Sequence, residues 1–220
     1  MQRFSHFLSW IFNPIILPIY TLGILLYTET ASRTSLDLKN NLYLLHPTLK
    51  KVILLIFFVV IFLAPAFSLV IMKRNHQISS LELDNQRERR FPILITGIYC
   101  AILTFMLFRQ INPKYFPTLF HAMAILGVIS SCYAYLVNFF LKISLHALSV
   151  GMATGTFMYY FAHFYVPNIY LLLAVIVGGG LVMTARYILR KHTLLELLSG
   201  YVSGLAMAVI TFLVVSRFLP

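Results

Sequence analysis

Ala185–Glu196, ARYILRKHTLLE, lies across the junction of two apolar runs, Ile169–Tyr187 and Leu194–Phe218. Each run is close to the roughly 20 residues a helix needs to cross a bilayer, so the junction reads as a short cationic turn between two spans. It holds Arg186, then His192 six residues on, then Glu196 four residues after that. With a helix beginning near Thr193, His192 and Glu196 share one face one turn apart, and the carboxylate can hold an imidazole nitrogen. A carboxylate-oriented histidine beside a guanidinium suits phosphate chemistry.

The whole chain has the same apolar character. Of its 220 residues, 60% are hydrophobic and only 10% charged, with a mean hydropathy of +0.87; a soluble domain carries about 25% charged residues. The expectation is a single integral membrane domain over residues 1–220, an all-α polytopic helical bundle with no sizeable soluble domain. A formal charge of +11, from 17 Lys+Arg against 6 Asp+Glu, fits cytoplasmic loops and contact with anionic lipid headgroups. The cations are scattered among short loops, which argues against nucleic-acid binding. Cys100 and Cys132 lie inside apolar runs and read as small buried hydrophobes. No CxxC or HExxH spacing occurs, and neither a metal nor another cofactor is expected.

Seven apolar stretches are candidate spans: Phe7–Tyr27, Lys51–Met72, Phe91–Phe108, Phe116–Phe140, Ser144–Phe164, Ile169–Tyr187 and Leu194–Phe218. Asn13, Pro14 and Pro18 interrupt the first. It is longer than the apolar core of a signal peptide and reads as a kinked first helix. Two connections are long. Thr28–Lys50 is polar and mixed, while Lys73–Arg90, KRNHQISSLELDNQRERR, has the charge of a solvated loop. Gly178–Gly180 in the sixth stretch would let a neighbouring helix come close.

Polar residues able to do chemistry fall in three clusters. Arg87, Arg89 and Arg90 precede Phe91-Pro92; Lys142, Ser144 and His146 open the fifth stretch; Arg186, His192 and Glu196 join the sixth to the seventh. Two spans separate each cluster from the next, so alternation across the bilayer puts all three on one face, that of the N-terminus. Ser144 and His146 stand at a helix start, where free N–H groups attract anions. Arginine forks match phosphate oxygens. A neutral His192 held by Glu196 can attack phosphorus, giving a covalent intermediate that water resolves. His146 can protonate the leaving alkoxide and then activate that water.

In order and spacing these clusters resemble the type 2 phosphatidic acid phosphatase superfamily, whose fold is shared with vanadium haloperoxidases. Its motifs run K-x6-R-P, P-S-G-H and S-R-x5-H-x3-D. Here the third reads Ala185-Arg186, five residues, His192, three residues, Glu196; the second reads Ile143-Ser144-Leu145-His146; the first is Arg89-Arg90-Phe91-Pro92. The motif region, Arg87 to Glu196, covers about half of the chain. By that resemblance His192 is the phosphohistidine nucleophile, Glu196 its orienting carboxylate and His146 the general acid. Arg90, Arg186 and the Ser144 region bind phosphate, with Arg89 and Lys142 as further candidates. The resemblance also implies metal-free hydrolysis of lipid phosphates or pyrophosphates, and six spans where the apolar stretches number seven. The chain departs from the pattern at several points. No lysine stands seven residues before either arginine (Glu82, Leu83), Leu145 replaces the motif glycine, Glu196 the aspartate and Ala185 the serine.

The leading expectation is a membrane-embedded lipid phosphatase with six to seven transmembrane helices, located in the bacterial inner (cytoplasmic) membrane. It would act on a phospholipid or a polyprenyl phosphate or pyrophosphate. The alternative is a relative that has lost turnover and serves as a lipid-headgroup-binding or assembly subunit, which the missing lysine and Leu145 motivate. A transporter has thinner support, since no inverted repeat or pair of broken helices is visible. His121 and His163 lie within spans but match no motif, and read as packing or interhelix hydrogen bonds. Ten cations fall on the motif face against seven on the other. Setting aside Arg89, Arg90, Lys142 and Arg186 leaves six against seven, so the orientation stays open.

Overall fold

Helix starts are written into the residues that precede the apolar runs. Asn168 accepts the Leu171 N–H at 3.0 Å, Thr193 accepts the Glu196 N–H at 3.3 Å, and Pro47 opens a helix that His46 caps. The structure, a computed structural model, describes residues 2–30, 40–81, 83, 85–110, 116–162 and 168–219. It is all-helical: α1 Gln2–Ile11, α2 Leu17–Tyr27, α3 Pro47–Arg74, α4 Arg90–Gln110, α5 Thr118–Val137, α6 Leu145–Ala162, α7 Ile169–Ile188 and α8 Leu194–Phe218, with no strand among the described residues. Five of these, α3, α4, α5, α7 and α8, are long and apolar enough to cross a membrane. Arg33, Lys39, Lys114 and His163 lie outside the described residues.

The expected first span is not one helix. Pro14 offers no N–H, and the Asn13 side chain accepts the Ile15 N–H at 3.1 Å, closing a turn between α1 and α2. The 11 residues of α2 reach about 16 Å, half of a hydrocarbon core of roughly 30 Å. Pro65 has a milder effect inside α3. The helix widens to a π turn over Phe58–Leu63 just before it, which absorbs the missing hydrogen bond without ending the helix.

α6 and α8 form the centre of the fold, and glycine decides how closely they meet. A Cβ on Gly155 would stand 2.7 Å from the Leu205 carbonyl and 2.8 Å from Ala208 Cβ; one on Gly200 would stand 3.0 Å from the Ser144 carbonyl. Gly151 and Gly204 likewise face the backbone carbonyls of Tyr201 and Leu148. Each helix therefore carries a small-x3-small ridge against the other's backbone. The partners rise in number together, so the helices run parallel, and their N-termini, with His146 on one and Glu196 on the other, lie at the same end. The expected close approach at Gly178–Gly180 is narrower than its sequence suggests. Gly179 packs on Val150, but Gly178 and Gly180 face open space.

Around this pair, Phe57, Phe120, Phe157 and Phe212 fill a core shared by α3, α5, α6 and α8. α4 packs along α5, and α7 lies outside against α1 and α6. His121 is fully buried between Phe108 (5.0 Å) and Phe116 (6.4 Å). Cys100 is buried as expected, but Cys132 is exposed on the outside of α5.

The described residues of the charged connection between α3 and α4 hold more internal hydrogen bonds than a solvated loop would. Glu88 Oε2 accepts the Ser79 N–H at 2.7 Å and its hydroxyl at 2.8 Å. The Gln86 and Asn138 side-chain amides each donate to the other's backbone carbonyl. Between α7 and α8 the turn is shorter. Lys191 N–H donates to the Arg186 carbonyl and Arg190 N–H to that of Tyr187, a Schellman cap with Arg190 at φ +53°, where glycine is usual. Arg190→Gly is expected to stabilise the protein by about 0.5–1 kcal/mol, read as a rise in Tm in detergent.

Candidate active site

The N-terminus of α8 sets the first part of the site. Thr193 and Glu196 form a reciprocal capping box, in which the Glu196 side chain reaches back to the Thr193 N–H at 3.2 Å. The same oxygen, Oε2, lies 2.9 Å from His192 Nδ1. A carboxylate only accepts, so Nδ1 carries the hydrogen and Nε2 presents a lone pair. His192 Nε2 is buried and has no hydrogen-bond partner among the described residues. Burial, assisted by the Arg89 and Arg186 guanidiniums and opposed by Glu196, pushes the His192 imidazole down to about 4. It is neutral at pH 7.

Two arginines accompany it. Arg186, in the last turn of α7, is 3% exposed. Arg89, just before α4, is equally buried. Its Nε donates to the Leu83 carbonyl and its Nη1 to the Ile143 carbonyl at 3.2 Å. Leu83 holds φ +53°, an uncommon conformation for a leucine. Its buried side chain and its bond to Arg89 keep it there. His146, in the first turn of α6, donates from Nε2 to the Ser9 carbonyl of α1 at 3.1 Å; a carbonyl accepts, so this nitrogen is protonated.

Arg89, His146, Arg186 and His192 line one cavity of about 530 Å³. Away from this cationic end its walls are largely apolar and come from α2, α3, α4, α5 and α6, with Ile61, Phe62, Leu126 and Met152 among them. The volume suits a ligand of moderate size, for which pockets run roughly 300–1,000 Å³. A site with two guanidiniums, a neutral nucleophilic imidazole and a second histidine can bind an anionic tetrahedral group and transfer it.

The other candidates fall elsewhere. Ser144 is fully buried and accepts the Ala147 N–H at 3.4 Å, capping α6 without lining the cavity. Lys142 and Arg90 are also off its lining; the Arg90 guanidinium lies 4.2 Å over the Phe139 ring. Of the adjacent arginines, it is Arg89 that enters the cavity. Leu145, at the position of the motif glycine, is part of its wall. Sequence reasoning missed α1 altogether: His6, Ser9 and Trp10 line the cavity beside His146. Among the described residues no three His, Cys, Asp or Glu side chains are placed to hold a metal ion.

The chain matches no protein-family model, no curated protein and no solved structure.

Proposed function

We propose that this chain is a multi-pass membrane phosphatase that hydrolyses a lipid phosphate or pyrophosphate through a phosphohistidine at His192. The observation that carries this reading is the His192 Nε2 lone pair, buried, unpartnered and opening on a cavity with two guanidiniums. In the bundle we infer, α6 joins the five long helices, and α2 with the residues after it, which reach Tyr160 of α6 at Thr30, joins them in turn to give six to seven membrane-traversing segments, in the bacterial inner membrane. The cationic end takes the phosphate at headgroup depth, and the apolar length of the cavity takes hydrocarbon.

In the first step His192 Nε2 attacks phosphorus while the bond to the lipid oxygen breaks. The phosphate dianion draws a proton onto His146, whose buried imidazole is neutral in the empty site, and the leaving oxygen takes that proton. Water then attacks the phosphohistidine, gives its proton back to His146 and releases phosphate, returning the lone pair to Nε2. Arg89 and Arg186 balance the charge on the phosphoryl oxygens throughout, and Glu196 holds the imidazole as it becomes positive.

The test is phosphate release by purified protein in detergent with EDTA present. Phosphatidic acid, phosphatidylglycerophosphate, a polyprenyl pyrophosphate and a lipid A phosphate are each compared with the His192→Ala variant. Release that does not depend on His192 removes the mechanism. A second reading, a headgroup-binding subunit without turnover, is favoured by one observation: His146 Nε2 is held by the Ser9 carbonyl. It predicts saturable phosphate or vanadate binding by folded protein with no release.

Glu196→Gln separates the two roles of that side chain. It retains an acceptor for the Thr193 and His192 N–H groups but no charge, so turnover is expected to fall about 10²-fold with little change in Tm. Glu196→Ala removes the cap as well and costs about 1 kcal/mol of stability. The depressed His192 value also fixes the sign of a pH effect. His192 stays neutral as pH falls from 7, so the acid limb of kcat/KM that reports it lies near pH 4, rather than near the ordinary histidine value of about 6.5. The unfolded chain takes up this proton first, so stability declines from about pH 6.5 downward. Rate profiles corrected for the substrate's own ionisation check the first statement, and acid unfolding midpoints check the second.

A further inference from the structure

α1 is inside out by the standards of a helix facing water. Its buried positions are Ser5 and Ser9, one turn apart, whereas Phe4, Phe7 and Trp10 are 62%, 57% and 78% exposed. Such an outward aromatic face is favourable only where it meets an apolar or interfacial medium. Arg3 stands beside it at the helix start, placed to meet anionic headgroups. At 10 residues the helix is about 15 Å long and cannot cross a bilayer, and the Asn13-Pro14 turn frees it from the axis of α2.

The inner face of the same helix closes the site. His6 and Ser9 line the cavity, and Trp10 reaches its edge from the outward face. The Ser9 hydroxyl is buried without a partner among the described residues, while the Ser9 carbonyl engages His146 Nε2 at 3.1 Å. The one proton His146 could direct at a leaving oxygen from that nitrogen is thus turned toward α1.

We propose that α1 is an interfacial lid whose Phe4, Phe7 and Trp10 face docks in the headgroup layer of a lipid surface, and that an anion entering the cavity displaces the Ser9 carbonyl from His146. The proposal rests on the reading of the cavity as a phosphate site, and it adds the partner of α1 and the event that makes His146 available. The hinge is Asn13-Pro14, and the moving part packs on α7, outside the glycine-sealed α6–α8 pair.

Trp10 is the only tryptophan in the chain, so its emission reports the lid alone. The full chain is reconstituted in phosphatidylcholine vesicles containing phosphatidylglycerol, with lipids brominated either near the headgroup or near the chain end. Trp10 is expected to be quenched by the shallow bromines and not by the deep ones. Replacing Phe4 and Phe7 together by serine, neither of which lines the cavity, is expected to remove that quenching. Quenching by the deep bromines, or quenching unchanged in the double variant, overturns the docking.

Orthovanadate then tests the release. Its binding, followed by calorimetry, is expected to shift Trp10 emission and to speed amide exchange over residues 2–11 about tenfold, the effect of losing one hydrogen bond of ordinary strength, with α8 unchanged. Vanadate that binds with neither change overturns the lid and leaves the phosphate site standing. Vanadate that fails to bind overturns both.

Discussion

His192→Ala is expected to lower phosphate release by more than about 10⁴-fold, to below detection, with Tm within a few degrees of the parent. The loss is large because no neighbour can take over the attack. His146 donates its Nε2 hydrogen to Ser9, and Glu196 is occupied by Thr193 N–H and by His192 itself. The fold survives because the capping box that starts α8 belongs to Thr193 and Glu196, not to the imidazole. Loss of activity with loss of Tm would mean that His192 is a packing residue. Loss of activity at constant Tm, with vanadate binding retained, isolates the nucleophile from the anion site. Acid-labile phosphate trapped on the parent and absent from the variant completes the measurement.

The second large effect is structural. Gly204→Val places methyl groups against the Leu148 carbonyl carbon and the Met152 nitrogen, each 3.0 Å from where a Cβ would begin. Backbone on the facing helix cannot rotate away, so α6 and α8 must separate. The expected cost is about 3 kcal/mol or more, a fall of roughly 10 °C in Tm, together with loss of turnover as His146 and His192 part. Gly180→Val is the control. Its Cβ meets nothing within 4 Å, so Tm should move by less than about 2 °C. A thermal shift assay on both variants in one detergent decides it; similar small shifts would remove α6–α8 packing as the organiser of the fold.

Much of this architecture was legible because bilayer-length apolar runs are long signals with clear ends. Asn168, Thr193 and Pro47 mark starts that the helices obey. The meeting of Arg89, His146, Arg186 and His192 was legible too, through the parity of spans and the turn spacing of His192 and Glu196. Two signals were present but unused. Thr193 with Glu196 three residues on is a capping-box pattern, and it explains why a glutamate serves here, since one oxygen must reach both Thr193 N–H and His192 Nδ1. Gly151 with Gly155, and Gly200 with Gly204, are paired small-residue ridges that predict the α6–α8 contact. Other features were not readable from order along the chain. Whether Arg89 or Arg90 points inward depends on the turn before α4, and Leu83, at φ +53°, sets it through its carbonyl. The contact of Ser9 with His146 joins residues 137 apart, and nothing local announces it.

The parallel run of α6 and α8 has a consequence for how the protein would respond to the thickness of its membrane. Helices in a thinner or thicker bilayer adjust by tilting, and antiparallel neighbours then carry their ends past one another. Two parallel helices sealed by glycine tilt as one body, so His146 and His192, both at its upper rim, keep their separation. Arg186 rides on α7 and Arg89 on the turn before α4, both outside the glycine-sealed pair itself. A change of lipid chain length should therefore alter how tightly an anion is held before it alters the geometry of transfer: KM drifts with bilayer thickness while kcat stays level.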